Sequence, residues 1–423
     1  MGIGGSGQSA VARIAKAQGH EVSGCDLESS RITAQLQKEG ISVTVGQHDK
    51  SHLKNIDILA HTPAVFYQNI THPEYAEAVK KKIAITWEEF MAKHLMKGKH
   101  LIAVSGTHGK GTTTAMLARV LETAGFDPTV EVGANLLDWN RVNYRLGKSK
   151  YFLCEADEFM EKFLMYKPYL AIITSVEMDH PEYFKNLDEV VAAFVKFAKK
   201  ATTVVINGED KGCQRVIKLI KPIKSIKLIK YKPLTKSQAK LKLPGQHVLA
   251  DAGAVWAAAK SLGVKESLIK KGLESFSGLE RRFEFRGNAP FGAKIYDDYA
   301  HHPTAVNVNI KAARELKPKG NIWVIFQPHM HTRLQILFND FVGALELADR
   351  VIVTDVFTRR ESNINKPTGK DLALAIGGPK ATYVGGELTN VANFISRNAK
   401  KDDLILVMGA GDVYKVSDLL LAK

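Results

Sequence analysis

One stretch limits what this chain can become: Leu101-Ile102-Ala103-Val104-Ser105-Gly106-Thr107-His108-Gly109-Lys110-Gly111-Thr112-Thr113-Thr114. It opens as a short apolar run, the pattern of a buried strand. It then turns through glycine and lysine into Thr112–Leu121, which has helical spacing. Strand, glycine-rich turn, lysine and helix follow one another as in a phosphate-binding loop. Small residues let backbone N–H groups point at phosphate oxygens, the helix N-terminus adds positive potential, and the lysine adds a full charge. In such loops the residue after the lysine supplies a hydroxyl to Mg²⁺; here that residue is Gly111.

Around this loop apolar strands alternate with helical stretches, which predicts an α/β chain with mostly parallel sheets covered on both faces. A length of 423 residues suits two or three domains. The first, over 1–95, begins with Gly2-Ile3-Gly4-Gly5-Ser6-Gly7, a G-x-G-x-x-G run that leads into a helix. A strand at Glu21–Asp26 then ends in an acid, at the spacing where a Rossmann-type unit holds a ribose. The strand that should precede Gly2 is missing, so the start reads as truncated or misannotated. Asp57–Ala64 and Ile83–Thr86 read as further strands, and Trp87–Lys97 as a helix. The second domain, 96–286, holds the loop, strands at Tyr151–Glu155, Leu170–Ser175 and Thr203–Asn207, and an alanine-rich helix at Leu249–Ser261. The third, 287–423, restarts the pattern with strands at Ala293–Asp298, Asn321–Phe326, Arg350–Thr354 and Asp403–Met408.

The net charge is +15, much of it diffuse lysine. Residues 218–242 carry nine lysines with a period of three that fits neither a strand nor a helix, so this stretch stays unassigned. It has no interleaved aromatics and no arginine cluster; it reads as a solvated basic face, not a nucleic-acid platform. No apolar run reaches the ~18–20 residues a membrane span needs. No signal peptide is visible, which predicts a cytoplasmic protein. Cys25, Cys154 and Cys213 lack metal-site spacing and read as free thiols of a reducing compartment.

Ligands of open α/β sheets bind beyond the carboxyl ends of the strands. Polar groups gather at several such ends. Glu155, Asp157 and Glu158 follow one strand of the loop domain, and Asp179 and His180 another. Carboxylate and imidazole beside a phosphate loop suit a Mg²⁺–nucleotide site. In the third domain, Asp297-Asp298-Tyr299-Ala300-His301-His302-Pro303 and Gln327-Pro328-His329-Met330-His331-Thr332-Arg333 sit at strand ends. Histidine with arginine suits a carboxylate or phosphate ligand. Arg281 and Arg282, at the boundary of domains two and three, either reach a nucleotide phosphate or form interdomain salt bridges.

Taken in order, these stretches resemble the Mur ligases, the ATP-dependent amide-forming enzymes of peptidoglycan precursor synthesis. The matching segments are GIGGSG with Cys25-Asp26, GTHGKGTTTAM, EADE at 155–158, MDH at 178–180, PGQH at 244–247, ERRFEF at 280–285, DDYAHHP at 297–303, FQPH at 326–329 with Arg333, and MGAGD at 408–412. They span the whole chain and are most similar to the alanine-adding branch. The resemblance implies a Rossmann-like UDP-sugar domain, a central P-loop ATP domain and a Rossmann-like amino-acid domain. It implies ATP, Mg²⁺, UDP-N-acetylmuramate and L-alanine or a similar small amino acid as ligands, and a monomer or homodimer. Gly4, Gly5, Gly7 and Asp26 would contact the UDP-sugar. Gly106, Thr107, His108, Gly109 and Lys110 would hold ATP phosphates, with Arg281 or Arg282 nearby, and His247 and Asp297 near the adenosine. Glu155 and His180 would hold Mg²⁺. His301, His329 and Arg333 would face the amino acid, with His301 positioning the amine or taking its proton.

The chain departs from the family at four places. Gly111 replaces the hydroxyl residue, a gap that Thr112 or a water would fill. Ser175 stands where the family usually has Asn, and Val248 and Asp251 stand where its adenine-side helix usually has two Asn. Met330 replaces the Arg expected after Phe-Gln-Pro-His. Three other readings are kept: a tripeptide-adding ligase of cell-wall recycling, a non-catalytic nucleotide or UDP-sugar binder, and an NAD-dependent oxidoreductase. The oxidoreductase reading leaves the phosphate loop, EADE and MDH without a role.

Overall fold

A computed structural model describes residues 1–46, 49–63, 65, 72–180, 183–358 and 367–422. The chain divides into two compact units, Met1–Ala239 with Asp251–Phe276, and Lys240–Ala250 with Ser277–Lys423.

The first unit is built on a seven-stranded sheet. Its strands are β5 (His100–Ser105), β6 (Thr129–Leu136), β7 (Val142–Arg145), β8 (Tyr151–Glu155), β9 (Leu170–Ile173), β10 (Thr203–Asn207) and β11 (Lys227–Tyr231), in the spatial order β11-β10-β9-β5-β8-β6-β7. Every neighbouring pair is parallel except β6 with β7. β5 lies in the middle between β8 and β9, so the residues after Ser105, Glu155 and Ile173 emerge at one edge of the sheet. The helix Lys110–Thr123 follows β5 and buries Met116, Leu117, Val120 and Leu121. A second helix, Glu266–Ser275, packs on it through Gly272. A Cβ there would lie 2.7 Å from the Val120 Cα, so the two backbones are as close as glycine permits.

The lysine-rich stretch resolves into two elements. A helix, Lys211–Ile220, turns Cys213, Val216 and Ile220 inward, and β11 follows after a turn. The period of three arose because the repeat runs across a helix end, a turn and a strand.

The N-terminal part carries two short parallel ribbons: β1 (Ser23–Asp26) with β2 (Ser42–Val45), and β3 (Leu59–His61) with β4 (Ala84–Thr86). The predicted strand Asp57–Ala64 shortens to β3; Ala64 lies outside the described residues. Residues Met1–Ile3 run between the ribbons. The Met1 amine donates to the Ala60 carbonyl (2.9 Å), and Gly2 and Ile3 donate to the Cys25 carbonyl (2.8 and 3.1 Å). The helix Ser6–Ala17 then leaves this region and buries Val11, Ile14 and Ala15 in the same apolar cluster as Phe152, Phe163 and Phe194.

The second unit holds a six-stranded sheet of β12 (Glu284–Asn288), β13 (Lys294–Asp298), β14 (Ile322–Phe326), β15 (Arg350–Val353), β16 (Ala381–Tyr383) and β17 (Leu404–Met408). Their order is β12-β13-β17-β14-β15-β16. Only β12 with β13 is antiparallel. Alternate residues feed two cores. Val324, Phe326 and Leu406 join Phe341 and Leu345 on one face, while Ile325, Ile405 and Val407 join Ile395 and Leu420 on the other. Burial on both faces explains why these strands read as continuous apolar runs.

Gly272→Ala should force the two helices apart and destabilise the first unit by about 1–3 kcal/mol, read as a lower urea midpoint with an unchanged denaturant slope.

Candidate active site

The chain leaves β5 through Gly106, whose φ is +142°, and enters the helix through Gly109, whose φ is +80°. A Cβ on Gly106 would land 2.0 Å from the Thr174 hydroxyl, so both conformation and space require glycine. The loop between them is tied to the segment after β9. Thr107 N–H donates to the Ser175 carbonyl (3.0 Å), and His108 N–H to the Ser175 hydroxyl (2.9 Å). The Thr107 hydroxyl accepts from Glu177 N–H (2.9 Å), and the Thr174 hydroxyl donates to the His108 carbonyl. Ser175, a departure from the family pattern, thus holds the loop.

Lys110 folds back over the loop. Its Nζ donates to the Gly106 carbonyl (2.6 Å) and sits 3.0 and 2.9 Å from the two oxygens of Glu158, a carboxylate only 2% exposed. Burial works against the ammonium charge, but Glu158, Asp157 and Glu155 outweigh it and hold Lys110 protonated above the ordinary lysine range. Of the three threonines that follow, Thr114 donates its hydroxyl to the Lys110 carbonyl (2.9 Å). Thr113 is fully buried, and its hydroxyl has no hydrogen-bond partner among the described residues. Thr112 is the partly exposed one.

The acidic residues split. Glu155 accepts from Gly133 N–H at 2.6 Å. It also adds to the burial that pushes the Glu131 carboxyl well above its usual range. The ligand atoms that come together, all within 4.8 Å of one another, are those of Asp157, Glu158 and His180. His180 has a positive φ of 53° and packs its ring against Phe159 at 4.6 Å. Two carboxylates and an imidazole fit a divalent cation next to the phosphate loop.

Asp251 also reaches the loop. It is buried, and a Cβ built on Gly109 would fall 2.3 Å from its Oδ1, so a carboxylate lies against the left-handed turn of the phosphate loop. Sequence reasoning flagged this position only as a missing Asn.

In the N-terminal part, Gly4 N–H donates to Asp26 Oδ2 at 2.8 Å, which brings the glycine run and the strand-end acid together. Gly7 lies under the Trp87 ring, 3.0 Å from where its Cβ would be. Beside the helix start a small, shallow depression is lined by Ser6, Arg13, Arg31, Asn135, Arg141 and Asn143. Ser6 is anchored there by Asn143, whose Nδ2 donates to the Ser6 carbonyl (2.7 Å). Arg31 and Arg141 carry no motif, and the sequence reading missed them.

The second unit gathers its candidates at the carboxyl ends of β13, β14 and β17. Arg281 stacks between Tyr299 (5.0 Å) and Tyr414 (4.6 Å) and donates to the Gly409 carbonyl. Arg282 faces Tyr299 (5.2 Å). Asp297 is fully buried; burial raises its carboxyl to about 7 despite Arg281 and Arg286 beside it. Asp298 accepts from Phe283 and Ala300 N–H groups, both at 2.7 Å, and so shapes both polar loops. Gln327 clamps the turn after β17, donating to Asp412 (3.0 Å) and accepting from Val413 N–H (3.2 Å). The His301 and His329 rings meet edge to face at 5.8 Å, and His329 stacks on Phe357. Arg333 is buried in the helix His331–Ile336, and Met330 precedes it with a φ of +67°. His247 is half-buried, and desolvation of its imidazole lowers it to about 4 and keeps it neutral at physiological pH.

Three family descriptions match this chain in order: Mur ligase family, catalytic domain over 1–100; Mur ligase middle domain over 104–248; and Mur ligase, glutamate ligase domain over 281–411. The chain belongs to the Mur ligase family. Among curated Mur ligases, it is 36% identical to the UDP-N-acetylmuramate–L-alanine ligase of Acetivibrio thermocellus, over all of this chain and 94% of that protein. It is 35% identical to the enzyme of the same name from Caldicellulosiruptor bescii, over all of this chain and 98% of that one. Among solved Mur ligases, a UDP-N-acetylmuramate-alanine ligase from Thermotoga maritima superposes with a TM-score of 0.81 at 30% identity, over all of this chain and 97% of that one. A murein peptide ligase from Psychrobacter arcticus shares the fold, with a TM-score of 0.73 at 22% identity over all of this chain and 97% of that one. No helix among the described residues is long and apolar enough to cross a membrane.

Two outcomes are expected. Asp251→Asn removes a negative charge from the phosphate loop, so ADP should bind on the order of tenfold more tightly by calorimetry; unchanged or weaker binding would show that the carboxylate does not oppose the nucleotide. Asp297 has a raised folded pKa, so its protonated form favours the native state. That contribution is fully present near pH 4 and is lost as pH rises through about 7. Asp297→Asn should therefore flatten the loss of stability between pH 4 and pH 7, by roughly a few kcal/mol, in urea denaturation at pH 5 and pH 8.

Proposed function

We propose that this Mur ligase joins L-alanine to the lactyl carboxylate of UDP-N-acetylmuramate, converting ATP to ADP and phosphate, in peptidoglycan precursor synthesis. The observation that carries the reading is a glycine-shaped phosphate loop whose lysine lies against an acidic cluster. It stands in a chain that aligns end to end with alanine-adding relatives. Residues 1–95 are assigned to the UDP-sugar, 96–286 to ATP and 287–423 to the amino acid. Gly4, Gly5, Gly7 and Asp26 contact the sugar nucleotide, and Arg31 and Arg141 in the adjoining depression suit its diphosphate.

The lactyl carboxylate attacks the γ-phosphate of ATP to give an acyl phosphate and ADP. Two anions must approach, so the loop N–H groups and Lys110 have to lower their repulsion. Lys110 exchanges the Glu158 carboxylate for phosphate oxygens as the nucleotide enters. Asp157, Glu158 and His180 suit a Mg²⁺ ion, with Glu155 and Thr112 as further ligands. Mg²⁺ supplies charge neutralisation on the phosphates. The amine of L-alanine then attacks the acyl carbon, and phosphate leaves the tetrahedral intermediate. The amine must be unprotonated to attack. His301 Nδ1 lies 3.0 Å from the Tyr299 carbonyl, which can only accept, so Nδ1 carries the proton and Nε2 is the basic nitrogen. His301 therefore suits the role of positioning the amine or taking its proton. Arg333 and His329 suit the amino-acid carboxylate, with Arg333 making up for the Arg that Met330 replaces. His247 and Asp297 are assigned to the adenosine, and Arg281 and Arg282 to the phosphates.

The test is phosphate release with ATP, Mg²⁺ and UDP-N-acetylmuramate, with L-alanine, L-serine, glycine and the recycled tripeptide in parallel. Release with L-alanine is expected; none with any acceptor would leave a nucleotide or UDP-sugar binder, and release with the tripeptide alone would identify a recycling enzyme. Lys110→Met should lower kcat by about 100-fold or more. His301→Ala should lower kcat and remove the acidic limb of the pH profile; an unchanged profile would rule out proton transfer at His301.

A further inference from the structure

Away from the sites above, three side chains of different chemistry converge in the N-terminal part of the first unit. Cys25 on β1 and Glu74 in the first turn of the helix Pro73–Lys80 are both buried, 3% and 2% exposed. Cys25 Sγ lies 3.3 Å from Glu74 Oε2 and 3.4 Å from Oε1. His52, in the short turn Lys50–Leu53, points Nδ1 at the same Oε2 from 3.6 Å. That Nδ1 is buried and makes no hydrogen bond among the described residues. The three ligand atoms all lie within 4.8 Å of one another. Leu53, Leu59, Val65 and Ala78 share the apolar cluster of Cys25, and the buried Met1 amine bears electrostatically on both Cys25 and Glu74.

We propose that Cys25, His52 and Glu74 form a binding site for one divalent cation of the zinc class, which ties the β1–β2 ribbon to the β3–β4 side of the N-terminal part. A tetrahedral zinc with metal–sulfur and metal–nitrogen or –oxygen distances of about 2.3 and 2.0–2.1 Å has ligand-to-ligand edges of about 3.5–3.6 Å where sulfur takes part and about 3.3–3.4 Å otherwise. The sulfur–oxygen edge here is 3.3 Å, the nitrogen–oxygen edge 3.6 Å, and the sulfur–nitrogen edge lies within 4.8 Å, so shifts of a few tenths of an ångström on the two shorter edges would bring them to those of a bound ion. The Cys25 thiol can donate to Glu74 at these distances, but 3.6 Å is too long for an imidazole–carboxylate hydrogen bond, so hydrogen bonding does not account for His52. A thiolate and a carboxylate also cancel the charge of a divalent ion, and thiolate plus imidazole select zinc over magnesium. Burial pushes the Cys25 thiol up to about 12, so its thiolate forms only when a cation takes the place of the proton.

The site is distinct from the glycine-run side of the domain. Cys25 and Asp26 are successive residues of a strand, so their side chains leave opposite faces; Asp26 turns to Gly4 and Cys25 to Glu74. The ion would cross-link three segments far apart in sequence. Among the described residues, the two ribbons form separate sheets and share no ladder of their own. The role is therefore structural, with water in the fourth position.

The test uses the full chain, stripped with a chelator and titrated with Co²⁺ in the absence of nucleotide. One equivalent should give the intense tetrahedral spectrum with a thiolate-to-cobalt charge-transfer band, and Zn²⁺ should displace it. A cation at the Asp157–Glu158–His180 cluster would give no such band, because that cluster has no thiol. Cys25→Ser should abolish the band while Cys154 and Cys213, both buried, remain. His52→Gln should weaken Co²⁺ binding by at least the ~10–100-fold that losing even an outer-shell partner costs. Zn²⁺ should raise the unfolding temperature of the parent and of neither variant. No charge-transfer band in the parent, or a band that survives Cys25→Ser, would overturn the proposal. If Cys25→Ser fails to fold, the partly exposed His52→Gln decides: undiminished Co²⁺ affinity there rejects the site.

Discussion

The Lys110–Glu158 pair is the interaction on which the phosphate loop depends. Both groups are largely withdrawn from water, and each is tolerable there because of the other. Removing one partner of such a pair leaves an uncompensated buried charge, at a cost of about 3–5 kcal/mol. The pair therefore fixes where the lysine waits. It also ties the residues after β8 to those after β5, the two strand ends between which a nucleotide's phosphates would be handled. The left-handed glycines 106 and 109 set the path of the loop, and Glu158 sets the position of its charge.

The departures from the family pattern look different once their neighbours are known. Ser175 is engaged: its hydroxyl takes the His108 N–H and its carbonyl takes the Thr107 N–H, so a shorter side chain than Asn still holds the loop. Gly111 is followed by three threonines whose hydroxyls are already differentiated: one bonded back into the helix, one buried, one partly exposed. Asp251 is the departure with an electrostatic consequence, since it sets a carboxylate against the turn at Gly109, where the proposed reading places phosphate.

How much of this could be read from the sequence follows from how local each signal is. The phosphate loop, the strand before it and the helix after it were legible because sequence neighbours make the site. The same holds for the glycine run with Asp26, and for the polar runs after β13 and β14. Strands β2, β7, β12 and β16 were missed because they are short or half-exposed, and β6, eight residues long and mostly buried, because Glu131, Gly133 and Asn135 break the apolar run that marks a central strand. β11 was hidden in a lysine repeat. Arg31 and Arg141 belong to a depression made by segments more than a hundred residues apart, and no spacing rule reaches that far. Glu155 and Glu158 sit in one motif. Which of them meets His180 was decided by the backbone turn after β8, where Glu155 is drawn aside by Gly133.

The helix Ser6–Ala17 has a consequence for how this protein can be rearranged. It starts on the glycine run of the N-terminal part, yet it buries Val11, Ile14 and Ala15 among the phenylalanines of the seven-stranded sheet. The N-terminal part is thus not a cassette. Its first helix is also a wall of its neighbour's core, and an exchange with another N-terminal domain has to carry a matching apolar face or leave the recipient's sheet exposed. Sequence drift in this helix is constrained from two sides at once, by the glycine run at one end and by a foreign core along its length.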